Sequence, residues 1–283
     1  MLIFDLFNFN AKLEIMDVGA SAIAEVPIYK KLLDMKLAHL SAFDGDERQM
    51  EKIKEHYGES NVSFYNYFLF DGNKHDAFMC HPDSGMSSLF KPKQKALDFF
   101  NGFSNFGTVE AIEEIQTTRL DDVENLDFID FVKMDVQGAE LEILKNGDNI
   151  LANCLAMQLE VSYFALYENQ PSFGDIDVYM RKIGYVPHQF LDIKKWSIAP
   201  TIFNNNFRVP GNQLLESDII YIKDPLCISE LSDIQLQKFV ILAHYAFKST
   251  DYCVYLLIEM ERRKLILDNS HRLYLGNLSS FST

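Results

Sequence analysis

The chain has 283 residues, of which 48% are hydrophobic and 24% charged, an ordinary balance for a folded globular protein and one that argues against disorder. That length suits one domain of about 200 residues carrying an appendage. Forty-one acidic against 26 basic residues leave a formal charge of −15, which repels phosphate backbones and anionic membrane surfaces and so argues against a nucleic-acid partner.

In chain order, LEIMDVG at 13 to 19 is a short apolar run ending in an acid and a glycine. VPIYKKLLDMK follows with helical spacing of its apolar positions, so the segment reads strand, turn, helix. The unit recurs as HLSAFDGDE, a polar helix from about Arg48 to Tyr57, and a strand at NVSFYNYF. Strands alternating with helices predict an α/β fold with a parallel sheet.

From Asp71 to about Asn105 the alternation breaks at glycines, prolines and the polar turn HPDSG, which reads as an insertion holding a hairpin and a short helix, about 71–107. Regularity returns with strands at VEAIEEIQ, FIDFVKMD and CLAMQLEV, a helix over Ile176 to Ile183, and a strand at YVPHQFLDI. Trp196 to Gly211 reads as a long loop, SDIIYIK as a last strand, and 231 to 265 as two helices. The expected organisation is a domain over 1–225 and a helical extension over 226–283, packed on it or serving as a contact between copies in a homo-oligomer.

Cys80, Cys154, Cys227 and Cys253 lie far apart and form no CxxC pair, so a zinc module and a disulfide scaffold are both unsupported. The opening MLIFDLFNFNAKL has no basic stretch before its apolar run, and no segment approaches about 18 apolar residues. A cytoplasmic protein without membrane insertion is the expectation.

Three places carry chemistry. In Asp17-Val18-Gly19-Ala20-Ser21 a strand turns into a helix, the usual way to bring backbone amides to an anionic group of a nucleotide-like ligand, with Gly19 permitting close approach. By itself such a turn is equally a plain strand-to-helix connection. Asp44, ending the second strand, is placed to accept both hydroxyls of a ribose, with Gly45 beside it and Asp46 competing for the role. The third is FVKMDVQGAELEILKNG at 131 to 147, where a buried strand delivers Asp135 to its carboxyl end and a turn at Gly138 opens a helix. Ligands of open α/β sheets sit beyond the carboxyl ends of strands, so Asp135, Gln137 and Glu160, the last at the end of LAMQLEV, are expected to face that space. Glu140 reads as a helix-capping, solvated residue.

DVGAS at 17, the acid at 44, SGMSSL at 84 to 89, TTRLDDV at 117 to 123, FVKMDVQGAELEILKNG at 131 and LEVSYFALYENQ at 159 to 170 resemble FkbM-family methyltransferases in order and spacing. The resemblance runs from about Leu13 to Asp192. It implies a Rossmann-like class I methyltransferase fold with a mostly parallel seven-stranded sheet and helices on both faces, and S-adenosylmethionine as cofactor. It also implies O-methylation of a small-molecule or glycan acceptor, with N-methylation occurring among related enzymes. On this resemblance the cofactor contacts are Asp17, Gly19, Ala20, Ser21, Asp44, Gly45, Asp46 and Gln137, and the catalytic residues Asp135 and Glu160. Ser21 and Ile23 stand where the family commonly has asparagine and glycine, Asp44-Gly45 where it has glutamate and proline, and Gln137 where it often has glutamate.

Methyl transfer to an alcohol needs a base for the hydroxyl proton; Asp135 and Glu160 are the candidates, with His81 and His188 behind them. Two carboxylates at adjacent strand ends could instead hold a divalent cation that binds the acceptor oxygen, but no third spaced ligand is in view, so no metal is expected. Tyr163, Phe164, Tyr167 and Trp196 stand to stack on a flat acceptor or to fill the core. Two rivals remain. A nicotinamide-dependent oxidoreductase expects GxGxxG where this chain reads GASAIA. A non-catalytic scaffold with the same fold is suggested by the altered first turn.

Overall fold

The computed structural model describes residues 3–20, 26–45, 61–81 and 84–279. Seven strands form one sheet: β1 (Leu13–Val18), β2 (Ala38–Phe43), β3 (Val62–Tyr65), β6 (Phe131–Met134), β7 (Ala156–Ser162), β8 (Tyr185–Trp196) and β9 (Gln213–Lys223). Their spatial order is β3-β2-β1-β6-β7-β9-β8. Neighbours from β3 across to β7 run parallel, and β9 lies antiparallel between β7 and β8. The chain winds outward in both directions from β1, so the crevice of such a sheet opens where β1 and β6 end.

The central strands are buried on both faces, which is why they read as unbroken apolar runs. On one face Ile15, Leu40, Phe131 and Ile220 pack against the C-terminal helices Asp233–Leu242 and Thr250–Arg262 and the π-helical turn Ala243–Phe247 between them. On the other, Met16, Val132, Met157 and Tyr221 pack against the helices Glu140–Lys145 and Phe173–Lys182. Ser172 and Ser232 each form a reciprocal capping box with the residue three positions on, Asp175 and Gln235, which starts one helix on each face. The extension therefore caps the sheet, and Lys238 fastens it through a buried ion pair to Asp130 at 2.6 Å. Among the described residues no helix is long and apolar enough to cross a membrane.

Three elements differ from the sequence expectation. The first helix is only Lys30–Asp34, because the chain turns left-handed at Lys36 (φ +58°) to enter β2. VEAIEEIQ is β5 (Val109–Gln116) and pairs antiparallel with β4 (Lys74–Cys80) in a separate two-stranded ribbon. Nearly every residue of it is exposed, so it lacks the two-sided burial that a strand of the main sheet requires. A third helix, Ser270–Ser279, follows the two expected at the C-terminus. The helix expected over Arg48 to Tyr57 lies outside the described residues.

Candidate active site

At the end of β1, Gly19 has φ +76°, and a Cβ on it would come 2.1 Å from the carbonyl oxygen of Asp135. Only glycine lets the β1 turn pass this close to the end of β6. The amides of Gly19 and Ala20 both donate to the Phe43 carbonyl, at 3.1 and 3.3 Å, so these two groups tie β1 to β2 instead of pointing into the crevice. Ser21 and Asp46 lie outside the described residues. Asp17 is buried and accepts a hydrogen bond from the Tyr29 hydroxyl, with Lys133 Nζ 3.5 Å away. Burial pushes its carboxyl above the usual value, against the opposing pull of Lys133 and Tyr29. Asp17 is thus held in place by Tyr29 and Lys133.

Asp44 and Gly45 follow β2 directly. The ring of Phe68 packs where Gly45 would carry a side chain, about 2.2 Å from the position of its Cβ, and remains 38% exposed. Phe68 therefore presents an aromatic surface beside Asp44. Sequence reading passed over it, although its place in the aromatic run after β3 was a signal.

The carboxylate pair is assembled by Gln137, whose backbone is left-handed (φ +55°). Its Nε2 donates to Asp135 Oδ1 at 3.2 Å and to Glu160 Oε2 at 3.0 Å. Its Oε1 accepts from the Tyr167 hydroxyl at 3.0 Å, and its carbonyl accepts from Ser88 Oγ at 2.8 Å. Gln137, grouped with the cofactor contacts on sequence, has its whole amide engaged in clamping the two candidate bases. Tyr167 and the serine of SGMSSL hold the clamp. Glu140 does cap the following turn, accepting from the amides of Val136 (3.0 Å) and Gly138 (3.3 Å), but it is buried and not solvated. Burial raises its carboxyl to about 7.

Glu160 is also buried, and burial, then Asp135 and Glu216, push its carboxyl well above the normal range against the pull of Lys194 at 3.5 Å. Residues that sequence reading missed complete the surroundings. Lys133 pairs across to Asp17 and Gln158, Asp218 stands opposite Glu160, and Glu216 stands opposite Lys194, where an ion pair of 2.8 Å forms. Burial alone would lower the Lys133 ammonium, yet Asp17, Asp135 and Asp218 outweigh it and hold it above its usual value. Lys194 is raised likewise, Glu216 and Glu160 overcoming burial. The signal for these residues was alternation: Lys133 and Asp135, Gln158 and Glu160, Glu216 and Asp218 each stand two apart on one strand or at its end.

Of the remaining candidates, His188, Phe164 and Trp196 serve packing. His188 shares a 2.9 Å hydrogen bond with Ser249 and lies against Tyr252 and Phe247 under the C-terminal helices. His81 follows β4 in the inserted ribbon. Phe164 stacks on Phe99, and Trp196 meets Phe103 edge-on while its Nε1 donates to the Asn101 carbonyl at 2.8 Å. Among the described residues no group of three or more His, Cys, Asp or Glu side chains is placed to hold a metal ion.

Counted along the main sheet alone, the strand order is 3-2-1-4-5-7-6 with the seventh antiparallel. With a glycine turn after the first strand, an acid after the second and a carboxylate ending the fourth, this is the class I methyltransferase fold. The family model described as the methyltransferase FkbM domain matches residues 22–187, and the chain belongs to that family, with S-adenosylmethionine as its cofactor. The matched span contains Asp44, Asp135, Gln137 and Glu160; Asp17 and Gly19 precede it, and Lys194, Glu216 and Asp218 follow it. No curated protein matches the chain.

Among solved structures the chain is similar to an uncharacterized protein from Listeria monocytogenes serotype 4b (10% identity, 94% of this chain and 93% of that one, TM-score 0.38). It is also similar to the magnesium protoporphyrin IX methyltransferase of Synechocystis PCC 6803 with bound S-adenosylmethionine (10% identity, 76% and 71%, TM-score 0.37). A third similar structure is a TehB-like methyltransferase from Corynebacterium glutamicum (10% identity, 76% and 82%, TM-score 0.35). The strand order, not these likenesses, carries the fold.

The residues present fit the cofactor. A carboxylate follows β2 at Asp44, an exposed aromatic ring packs against Gly45 beside it, and a second carboxylate follows β6 at Asp135, the chemistry that ribose hydroxyls, a base and a sulfonium call for.

Proposed function

We propose that the protein transfers the methyl group of S-adenosylmethionine to a hydroxyl oxygen of a small-molecule or glycan acceptor. The observation that carries this reading is the Gln137 clamp, which holds Asp135 and Glu160 side by side above the ends of β6 and β7. In this reading Asp44 binds the ribose and Phe68 lies on the base, while Gly19 lets the β1 turn close against Asp135.

The cofactor supplies a methyl group already activated by its positive sulfur: the hydroxyl oxygen forms the new bond to carbon, the carbon–sulfur bond breaks and its electron pair stays on sulfur. The protein contributes alignment and a place for the hydroxyl proton. Asp135 Oδ1 is taken by Gln137, which leaves Oδ2 to accept that proton. Glu160 stands beside it, and burial together with the neighbouring Asp135 pushes its carboxyl well above the normal range, which favours its protonated form.

The test is incubation with methyl-labelled cofactor and a panel of hydroxyl-bearing acceptors, with the site of methylation read by NMR. A methyl ether is expected. Methylation on nitrogen alone, or cofactor binding with no transfer to any hydroxyl, would overturn the oxygen assignment. A thermal-shift comparison of S-adenosylhomocysteine with NAD gives a first check, since only the former should stabilise the protein.

A further inference from the structure

Beyond the two candidate bases, the sheet face that carries them is polar across four strands. Asp17, Lys133, Asp135, Gln158, Glu160 and Asp218 are joined by strand register and by their mutual charges, with Glu216 and Lys194 closing the far edge. Five carboxylates face two ammonium groups. With Glu160 protonated the acids still outnumber the bases, and the single positive sulfur of the cofactor does not restore balance. Such a surface disfavours an anionic acceptor.

A second observation points to what fills it. Gln158 is 5% exposed, its side-chain amide is hydrogen-bonded to the Asp218 carboxylate, and its Oε1 has no partner. A buried acceptor left unpaired is rare in folded proteins and marks a place where a donor belongs. Of the groups joined to it, Asp218 by a hydrogen bond and Glu160 two residues along the strand are acids and Lys133 across the register is a base, so a molecule that fills this place must bring donors.

We propose that the acceptor is a polyhydroxylated molecule carrying a protonated amine, its ammonium and a hydroxyl donating to Asp218, Glu216 and Gln158 while the hydroxyl to be methylated faces Asp135. This rests on the hydroxyl-methylation reading above and names its substrate class. The carboxylates give the selectivity a chemical reason. An amine held between Glu216 and Asp218 keeps its proton and so has no lone pair to attack the methyl carbon, which leaves the neighbouring hydroxyl as the nucleophile. Glu216 and Asp218 lie beyond the span matched by the family model.

The experiment is calorimetric titration of the full chain saturated with S-adenosylhomocysteine, using glucosamine and galactosamine oligomers and 2-deoxystreptamine, each against its N-acetylated form, with an oligogalacturonate as the acidic control. At least one free amine should bind roughly tenfold tighter than its acetylated form, the factor expected for one charge-assisted contact, and the acidic oligomer should not compete. Asp218→Asn should lose the preference and keep S-adenosylhomocysteine affinity. The inference is overturned if no amine is preferred, if the acidic oligomer binds as well, or if Asp218→Asn keeps the preference. Failure of S-adenosylhomocysteine itself to bind would instead remove the methyltransferase reading, so the two failures are told apart by the first titration.

Discussion

At the amino end of β6, Asp130 accepts from Lys238 at 2.6 Å and from the Glu14 amide at 2.8 Å, and both partners of the ion pair are buried. At the carboxyl end of the same strand, Asp135 shares Gln137 with Glu160 and meets a row of acids that the two nearby lysines do not neutralise. The first arrangement is closed: one acid, one base, and a helix fastened to a sheet. The second is open, with raised carboxyls and an unpartnered glutamine oxygen. A fold stabilised by pairing has no reason to leave charge uncompensated five residues further on, and in the reading proposed above a cationic ligand answers that imbalance.

That contrast can be broken at several points. The largest effect is expected at the open end: Asp135→Asn keeps size and most hydrogen bonding but removes the base, and single-turnover methyl transfer should slow by roughly 10²–10⁴-fold with cofactor affinity little changed. Near-normal turnover would move the role to Glu160. At the closed end, Lys238→Met should cost about 3–5 kcal/mol of stability in denaturant unfolding, because Asp130 is left charged and buried, while cofactor affinity stays the same. An unchanged midpoint would mean that the pair contributes nothing.

Glu140 sharpens the comparison through pH. Its carboxyl is raised from 4.5 to about 7 in the folded chain, so folding favours the protonated form. The stability this supplies is complete below pH 4.5 and is lost as pH rises through about 7. Glu140→Gln, whose oxygen still accepts from Val136 and Gly138, should flatten that dependence. The variant should be up to about 3 kcal/mol more stable than the parent at pH 8 and nearly equal to it at pH 4. Parallel pH curves for the two proteins would refute the shift. The smallest effect is expected at Asp44→Ala, which should weaken cofactor binding by about 1.5–3 kcal/mol with the fold intact. If Asp46→Ala has that effect and Asp44→Ala does not, the ribose contact lies two residues along.

Much of the fold was legible because each central strand is short, apolar and buried on both sides, and ends in a residue of distinct chemistry: Asp17, Asp44, Asp135, Glu160. The inserted ribbon was harder to place. Alternation shows that VEAIEEIQ is a strand, but not that its partner is Lys74–Cys80, since a ribbon exposed on both faces carries no burial pattern to assign it to a sheet. The first helix was overextended because apolar spacing continues through Tyr29, whose ring and hydroxyl turn inward to Asp17 before the helix begins.

By itself, then, the order of residues determined which strands end in acids, where glycine must admit a close approach, and that residues 231 to 265 are helical, because these are properties of single segments. Only the tertiary structure decided which side chains meet. The antiparallel insertion of β9 beside β7 sets Asp218 against Glu160 and Glu216 against Lys194 across more than 50 residues of separation or more than 20, and the left-handed Gln137 swings its amide between two strands. Register and backbone handedness are fixed by the burial of whole elements against one another, and no local window of sequence contains that information.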